Sequence, residues 1–395
     1  MAGERIPASR VLLGFAGLLL VPVLYIGGPY LAPVDGATWF REFDGLKLHM
    51  ARHYANLDWM VTHREVDLAA LSSAMEERLA SARFRFQAER ALNEFTSAFH
   101  DPHLRVAQLT LEGGVEQVRA AVARDAGCGD LGYTNRRTHF RFPFEEADGW
   151  RDVSGAPFPS GLIGTIGVVR IAYFGEDGYR TVCEDVGAGA SEGDTNFRVR
   201  GALQHRLASV LKALASLDAR TVVVDLTGNG GGTDWAVEAA RLFTDGPLTR
   251  TATPMVEPAC DRGPIWEGRD VCGILGPTVD VVVGGLGAWT GPVVVFADGG
   301  TASASEDFIV RLRESGVARV IGERTAGAGC GYVDGGAPVR LTAIGLQVLM
   351  PNCARFTRSG RNEVEGLEPD VAVAVTDGPA GARIAALIRA VGDGG

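Results

Sequence analysis

The sequence contains no run of clustered basic residues. Its 395 residues include 38 Lys and Arg against 48 Asp and Glu, which gives a formal net charge of −10. Because binding to nucleic acid depends on clustered lysines and arginines, this composition argues against a nucleic-acid partner.

Patterns of a metal or cofactor site are also missing. The chain has no C-x-x-C and no Cys/His cluster with the spacing of a zinc site. The most glycine-rich loop, at 228–232, is followed by Thr233 and Asp234 instead of the Lys and Ser/Thr of a phosphate-binding loop, and it does not fit G-x-G-x-x-G. We therefore expect neither a metal nor a cofactor.

The composition and length of the chain fit a globular protein of two domains. Hydrophobic residues make up 46% and charged residues 22% of the chain. A chain of 395 residues is too long for one small core and short for three domains.

The N-terminus resembles an export segment. Arg5 and Arg10 precede a long apolar run that extends to about Pro33. This run is also long enough to span a bilayer, and it lacks a clear cleavage site, so residues 1–34 are predicted to be a signal peptide or a retained membrane anchor. The two arginines favour an extracytoplasmic, for example periplasmic, location for the rest of the chain. The alternative is a buried core helix.

Six cysteines agree with an oxidising location, because an even number in an exported chain suggests disulfides. We predict the pairs Cys260–Cys272 and Cys330–Cys353, which leaves Cys128 and Cys183 as the third pair. The alternative is six buried free thiols.

The chain divides into regions of different periodicity. Residues 35–104 show apolar residues at helical spacing and are predicted to form an N-terminal helical domain. Residues 105–160 are predicted to be a connecting α+β region. Residues 161–378 alternate strands with helices, which indicates βαβ units with an irregular insertion at 245–290. A single strand is predicted at 163–174, and a C-terminal helix and tail at 379–395.

Two glycine-containing loops follow predicted strands of the α/β region. VVVDLTGNGGGTDW can direct several backbone N–H groups to one point, which suits an oxyanion hole. GGTASASEDF contains Ser303 and Glu306 in the pattern of a helix capping box, so Ser303 is either an ordinary cap or a nucleophile. Both loops lie at the carboxyl ends of strands, where sites of α/β sheets gather.

At these loops the sequence resembles the C-terminal-processing (tail-specific) serine peptidases over most of residues 40–376. The matching motifs, in order, are Asp101-Pro102-His103, Asp225-Leu226 with Asn229-Gly230-Gly231, Thr301-Ala302-Ser303-Ala304-Ser305-Glu306, Ile321-Gly322-Glu323-Arg324-Thr325-Ala326-Gly327, and Gly366-Leu367-Glu368-Pro369-Asp370. The resemblance implies a ClpP/crotonase-like α/β core with an N-terminal helical domain. Residues 105–160 show no clear PDZ pattern.

By the same resemblance Ser303 is the nucleophile and Ser305 is a structural neighbour. Many members of the family have a lysine general base at the position of Ala328, so a Ser–Lys dyad is excluded there. The tricorn-like branch, whose non-peptidase relatives include the retinoid-binding protein of the retina, uses instead an N-terminal histidine and a late glutamate.

On that pattern the general base is His103, with His100 as the alternate. The acid is Glu363, which falls six residues before the proline of Pro-Asp. Glu365 is the alternate, because strand alternation would place it on the same face.

The implied reaction is peptide hydrolysis through an acyl-enzyme on Ser303, with backbone N–H groups of Gly230 or Gly231 and of Ala304 as oxyanion donors. The expected partner is a polypeptide substrate, and a membrane if the N-terminal segment is retained. Two alternatives stay open: an inactive family member that binds small apolar ligands or peptides, and a scaffold protein.

Overall fold

The computed structural model describes residues 33, 35–109, 127–136, 142–251, 254, 261–275 and 279–392. Within these ranges no helix combines the length and the hydropathy needed to cross a membrane. The predicted signal peptide or anchor at 1–34 lies outside the described residues, apart from residue 33.

Four helices form the N-terminal region: α1 (Gly36–His53), α2 (Leu57–His63), α3 (Leu68–Ser81) and α4 (Arg85–Ser97). Asp35 and Asp67 accept hydrogen bonds from N–H groups of the first turns of α1 and α3, which replaces partners that a helix start lacks. The buried residues of α1 recur every three or four positions, as the sequence predicts: Trp39, Phe43, Leu46 and Met50.

The described residues beyond the N-terminal region form both strands and helices. The strands are β1 (Arg105–Gln108), β2 (Trp150–Ser154), β3 (Ser160–Ile163), β4 (Ile166–Arg170), β5 (Thr221–Asp225), β6 (Pro247–Thr251), β7 (Asp280–Gly284), β8 (Val293–Ala297), β9 (Ala318–Gly322), β10 (Val339–Leu341), β11 (Leu346–Leu349) and β12 (Val371–Ala372). The helices are α5 (Arg180–Val186), α6 (Glu192–Ser216), α7 (Trp235–Ala240), α8 (Ala304–Glu314) and α9 (Ala380–Gly392).

Among the described residues, seven strands form the central sheet, in the order β12-β9-β8-β5-β4-β3-β2. The first five of these are parallel, and β3 and β2 continue the sheet in antiparallel pairing. The predicted α/β core and N-terminal helical region are confirmed.

Side chains of successive residues in the central strands lie on opposite faces of the sheet and pack in different hydrophobic cores. Val222 and Val224 of β5 pack in the cluster that contains residues of α6, α7 and α8, whereas Val223 packs in the cluster that contains residues of α9. Because both faces are covered, β5 and β8 read as continuous apolar runs.

Two predictions about this core were wrong in detail. The strand predicted at 163–174 is shorter, because it contains β4 (Ile166–Arg170) but only the last residue of β3; Gly164, with a φ of 61°, turns the chain between the two strands. The insertion at 245–290 contains the antiparallel pair β6–β7 and a short 3₁₀-helix at Gly263–Glu267.

A separate three-stranded sheet joins the two regions, in the order β1-β11-β10. Strand β1 directly follows the N-terminal helices, whereas β10 and β11 come from more than 200 residues later in the chain, with Val106 opposite Val348. Leu341, Leu346 and Val348 lie in the same hydrophobic cluster as α1 to α4. The hairpin of β10 and β11 therefore packs against the helical region, and it brings the end of α4 towards residues 350–365.

Two predicted disulfides are present, Cys128–Cys183 and Cys330–Cys353. Cys272 is also disulfide-bonded. Its predicted partner, Cys260, lies outside the described residues.

Candidate active site

Ser303 lies at the sharp turn between β8 and α8. Its backbone has φ 56° and ψ −116°, a conformation that a residue with a side chain rarely adopts. Strained strand-to-helix turns of this kind expose the nucleophilic serine of other hydrolases. The Ser303 side chain is half-buried and makes no capping hydrogen bond. Ser305 is fully buried and donates to the carbonyl of Asn229 over 3.0 Å, which agrees with a structural role.

The glycine loop after β5 lies beside this turn because β5 and β8 are neighbours in the sheet. Asp298 Oδ1 accepts from the N–H groups of Gly228 (2.8 Å) and Gly300 (3.0 Å), so one carboxylate ties the two loops together. A Cβ on Gly231 would lie 2.8 Å from the Cβ of Ser303, so the close approach of the loops requires glycine there.

Two of the three predicted oxyanion donors are available. In the described part of the chain, the N–H groups of Gly230 and Ala304 have no hydrogen-bond partner. Gly231 is different, since its N–H donates to Asn229 Oδ1 over 2.9 Å. Gly231 is therefore a residue of close approach, and its assignment as a donor does not fit this geometry.

His103 reaches the same cleft from the N-terminal region. Its Nδ1 lies 2.7 Å from the carbonyl oxygen of Ala328. Because a carbonyl can only accept, Nδ1 carries the proton, and Nε2 of the neutral ring is left as an acceptor. Burial lowers the pKa of His103 below its ordinary value of 6.5, and this outweighs the opposing effect of the Asp101 carboxylate. The imidazole is therefore neutral at neutral pH.

The His103 ring is tightly surrounded. A Cβ on Gly331 would lie 2.7 Å from Nε2, and the ring of Tyr332 packs edge-on at 5.2 Å between centroids. The Tyr332 hydroxyl donates to the carbonyl of His103. The alternate base, His100, is solvent-exposed, and its carbonyl accepts from Arg64.

A cleft of about 620 Å³ contains both candidate catalytic side chains. It is lined by His103, Arg136, Ala172, Tyr173, Gly228, Gly230, Gly232, Asp298, Gly300, Ser303, Cys330 and Tyr332. Among the hydrogen bonds of the described residues, none joins Ser303 to His103. Catalytic hydrogen bonds commonly form only once substrate is bound.

The two candidate acids do not contact His103. Residues Glu363–Glu365 form a short 3₁₀-helix, so the strand expected there is wrong. Glu363 is fully buried and pairs with Arg250 and, over 3.0 Å, with Arg355 Nε. Glu365 accepts from Trp59 Nε1 (2.8 Å) and Arg64 Nε (2.9 Å). The place expected for the acid, on Nδ1 of His103, is taken by the Ala328 carbonyl.

Glu306 has more partners than the capping pattern predicts. Besides the N–H of Ser303, its carboxylate accepts from Thr325, Gly327 and Ala328. Burial raises the pKa of Glu306 to about 7, although these hydrogen bonds favour the ionised form. The S-x-x-E pattern could reveal only the first of these contacts.

Neither lysine of the chain can act as the general base for Ser303. The sequence contains two lysines, Lys47 and Lys212. Lys47 lies on α1 and bonds Ser72 and Glu76, and Lys212 is exposed on α6. Neither lines the cleft, so His103 is its only neutral nitrogen base among the described lining residues.

A serine on a strand-to-helix turn, an imidazole and free N–H groups in one cleft define the class of serine hydrolases. The family model of peptidase family S41 matches residues 165–373, more than half of the chain, and the chain belongs to this family of serine peptidases.

Solved structures of low sequence identity share the fold. A candidate peptidase from Parabacteroides merdae ATCC 43184 has a TM-score of 0.59 at 16% identity, over 89% of this chain and 95% of that one. Mature CPAF has a TM-score of 0.58 at 13% identity, over 86% of this chain and 93% of that one. Mature CPAF complexed with lactacystin has a TM-score of 0.57 at 13% identity, over 86% of this chain and 94% of that one.

Proposed function

We propose that this chain is a serine endopeptidase that hydrolyses polypeptides through an acyl-enzyme on Ser303, with His103 as the general base. The observation that carries the proposal is the hydrogen bond from His103 Nδ1 to the Ala328 carbonyl. It leaves Nε2 as the acceptor in the cleft that also contains Ser303.

In the proposed reaction, His103 Nε2 takes the proton of Ser303 as Oγ attacks the peptide carbonyl. The N–H groups of Gly230 and Ala304 are proposed to stabilise the oxyanion, helped by the N-terminus of α8. The imidazolium then protonates the leaving amine, and water hydrolyses the acyl-enzyme with His103 acting again as base.

The carbonyl of Ala328 accepts the hydrogen bond from His103 Nδ1 that a carboxylate accepts in other Ser/His sites. It fixes the tautomer and the orientation of the ring, as an acid does in other Ser/His sites. Being neutral, it stabilises the imidazolium less than a carboxylate would. The buried Asp101, whose Oδ1 accepts from the N–H of His103 over 3.0 Å, is the nearby negative charge that favours the charged ring.

We further propose that the enzyme works outside the cytoplasm, released or anchored by residues 1–34. The basic and apolar N-terminal sequence supports this location. The disulfides support it too, because such bonds persist mainly in oxidising compartments.

Labelling with a fluorophosphonate probe tests the assignment. We expect one adduct on Ser303 of the wild-type chain, and none in Ser303→Ala, which keeps its thermal stability. Ser305→Ala is the matched control and keeps the adduct. Lactacystin is a second probe, because mature CPAF has been solved in complex with it. A wild-type chain that reacts with neither compound would favour an inactive binding protein.

A further inference from the structure

The backbone of Ser303 is held at both of its polar groups by charged side chains. Its φ of 56° and ψ of −116° lie in a sparsely populated region, which persists only where the surroundings enforce it. The N–H donates to Glu306 Oε2 over 2.8 Å, and the carbonyl accepts from Arg355 Nη2 over 2.6 Å. Glu306 is fully buried and Arg355 is 8% exposed.

Glu306 connects the serine to the loop at residues 325–328. Its Oε2, which binds the Ser303 N–H, also accepts from the N–H of Ala328 over 3.0 Å. Its Oε1 accepts from the N–H of Gly327 (2.9 Å) and the hydroxyl of Thr325 (2.5 Å). One carboxylate therefore holds the nucleophile and residues 325–328 in a fixed relation.

Arg355 also connects Ser303 to this loop, through the carbonyl group of the serine. The Nη2 atom that binds the Ser303 carbonyl also donates to the carbonyl of Gly329. Its Nε lies 3.0 Å from Glu363 Oε2, so the two buried side chains form an ion pair.

The loop held by these two side chains is the one that orients the base. The carbonyl of Ala328 receives the Nδ1–H of His103, and Gly331 lies against the ring. Any displacement of residues 327–331 relative to Ser303 would therefore change the distance between Ser303 Oγ and His103 Nε2.

We propose that Glu306 and Arg355 are positioning residues that set the geometry between nucleophile and base, and that Glu363 acts on the site through Arg355 instead of through the imidazole. This inference rests on the proposed function of Ser303 and His103. It assigns a role to a buried charged cluster that the peptidase mechanism does not itself require.

The alternative is a purely structural role, in which these buried charges stabilise the fold and do not affect the chemistry. Arg262 provides a matched control, because it is also fully buried, donates to two backbone carbonyls (Ala51 and Tyr54) and pairs with one carboxylate, Asp58. Those partners are on the helical region, outside the cleft.

The experiment measures fluorophosphonate inactivation of the full chain, with kinact and KI determined separately, together with the melting temperature. For Glu306→Gln and Arg355→Lys we expect kinact to fall about 10- to 100-fold at unchanged KI, since small misplacements of catalytic groups cost rates of this order. Arg262→Lys should lower the melting temperature and leave kinact as in the wild type.

The outcomes separate the two proposals. If the wild-type chain forms no Ser303 adduct, the proposed function fails. If it does, and folded Glu306→Gln and Arg355→Lys react at the wild-type rate, the positioning role fails while the function stands. An equal loss of kinact in Arg262→Lys would also overturn the role, because the effect would then follow stability alone.

A further variant covers the case in which Glu306→Gln does not fold. Thr325→Val removes one donor to Glu306 and keeps the shape of the side chain. We expect a smaller decrease in kinact than for Arg355→Lys. A wild-type kinact in both Thr325→Val and Arg355→Lys would refute the proposal.

Discussion

Ser303 and His103 reach the cleft by different routes. Ser303 lies at the turn between β8 and α8, and its N–H donates to the side chain of Glu306, three positions away. The His103 ring is held by the carbonyl of Ala328, 225 positions away, and its backbone by Tyr332, 229 positions away. The nucleophile is thus shaped largely by one strand-turn-helix unit, whereas the base depends on how two regions assemble through β1 and β11.

This difference indicates where the site is easier to disrupt. Changes around His103 should lower activity while the central sheet stays folded and Ser303 stays in place after the carboxyl end of β8. Each of the following predictions tests that asymmetry.

The largest effect is expected from His103→Ala. Removal of a general base typically lowers the rate by about 100- to 10,000-fold, so fluorophosphonate labelling of Ser303 should become very slow. His100→Ala is the control, since that side chain is exposed outside the cleft, and it should label normally. Equal labelling of the His103 variant and the wild type would show that the base is another group.

A smaller loss is expected from Gly331→Ala. The added Cβ would lie 2.7 Å from His103 Nε2, so the imidazole must move away from its position. We expect kinact to fall about 10- to 100-fold. Gly335→Ala carries the same kind of backbone penalty, since its φ is 84°, but its Cβ would meet nothing within 4 Å. If the two variants lose the same activity, backbone strain and not the clash with His103 is responsible.

The disulfides Cys330–Cys353 and Cys128–Cys183 should differ in their effect on the reaction rate. Cys330 lies between Gly329 and Gly331, beside the base, whereas Cys128–Cys183 lies in the cluster around α5 and α6. Replacing either pair by serines should cost about 2–4 kcal/mol of stability. Only the Cys330/Cys353 variant should also show a several-fold lower kinact. Denaturant unfolding and inactivation rates, measured on the same samples, separate the two effects.

At neutral pH the smallest effect on kinact is expected from the ionisation of His103. Because burial lowers the pKa of His103, kinact should rise with pH through an apparent pKa below 6.5. A second rise is expected near pH 7, where the Glu306 carboxyl ionises and accepts its hydrogen bonds in full. Below the pKa of His103, kinact should fall about tenfold per pH unit, as expected for a base that must be unprotonated. Asp101→Asn should shift the profile to still lower pH, because the carboxylate that favours the charged ring is lost. A profile with no transition below 6.5 would contradict the dominance of burial at His103.

Much of this architecture could be predicted from local patterns. Apolar spacing predicted the helices of residues 35–104, since a helix that packs on a core needs one apolar face. The loops at 228–232 and 299–303 could be expected to meet because both follow parallel strands. Ser303 stood out from Ser305 by its motif, and the structure places Ser303 in the cleft and Ser305 in the core.

The partners of the buried charges could not be predicted in the same way. Glu363 was expected to face His103, but it lies between Arg250 and Arg355, two arginines distant in sequence. Gly231 was expected to donate to an oxyanion, but its N–H binds Asn229. In both cases the competing partner is set by three-dimensional proximity, which sequence spacing does not contain.

The sequence by itself determined the family, the two structural regions and the absence of lysine from the expected position at Ala328, and it suggested the cysteine pairs that the structure contains at 128/183 and 330/353. These features depend on residue identity and on periodicities along the chain. Only the tertiary structure decided what orients His103, because a carbonyl acceptor is present at every residue and has no sequence signature. It also decided that Glu306 and Arg355 connect the nucleophile to the loop of the base, since a buried charge binds the donors and acceptors that folding brings within reach.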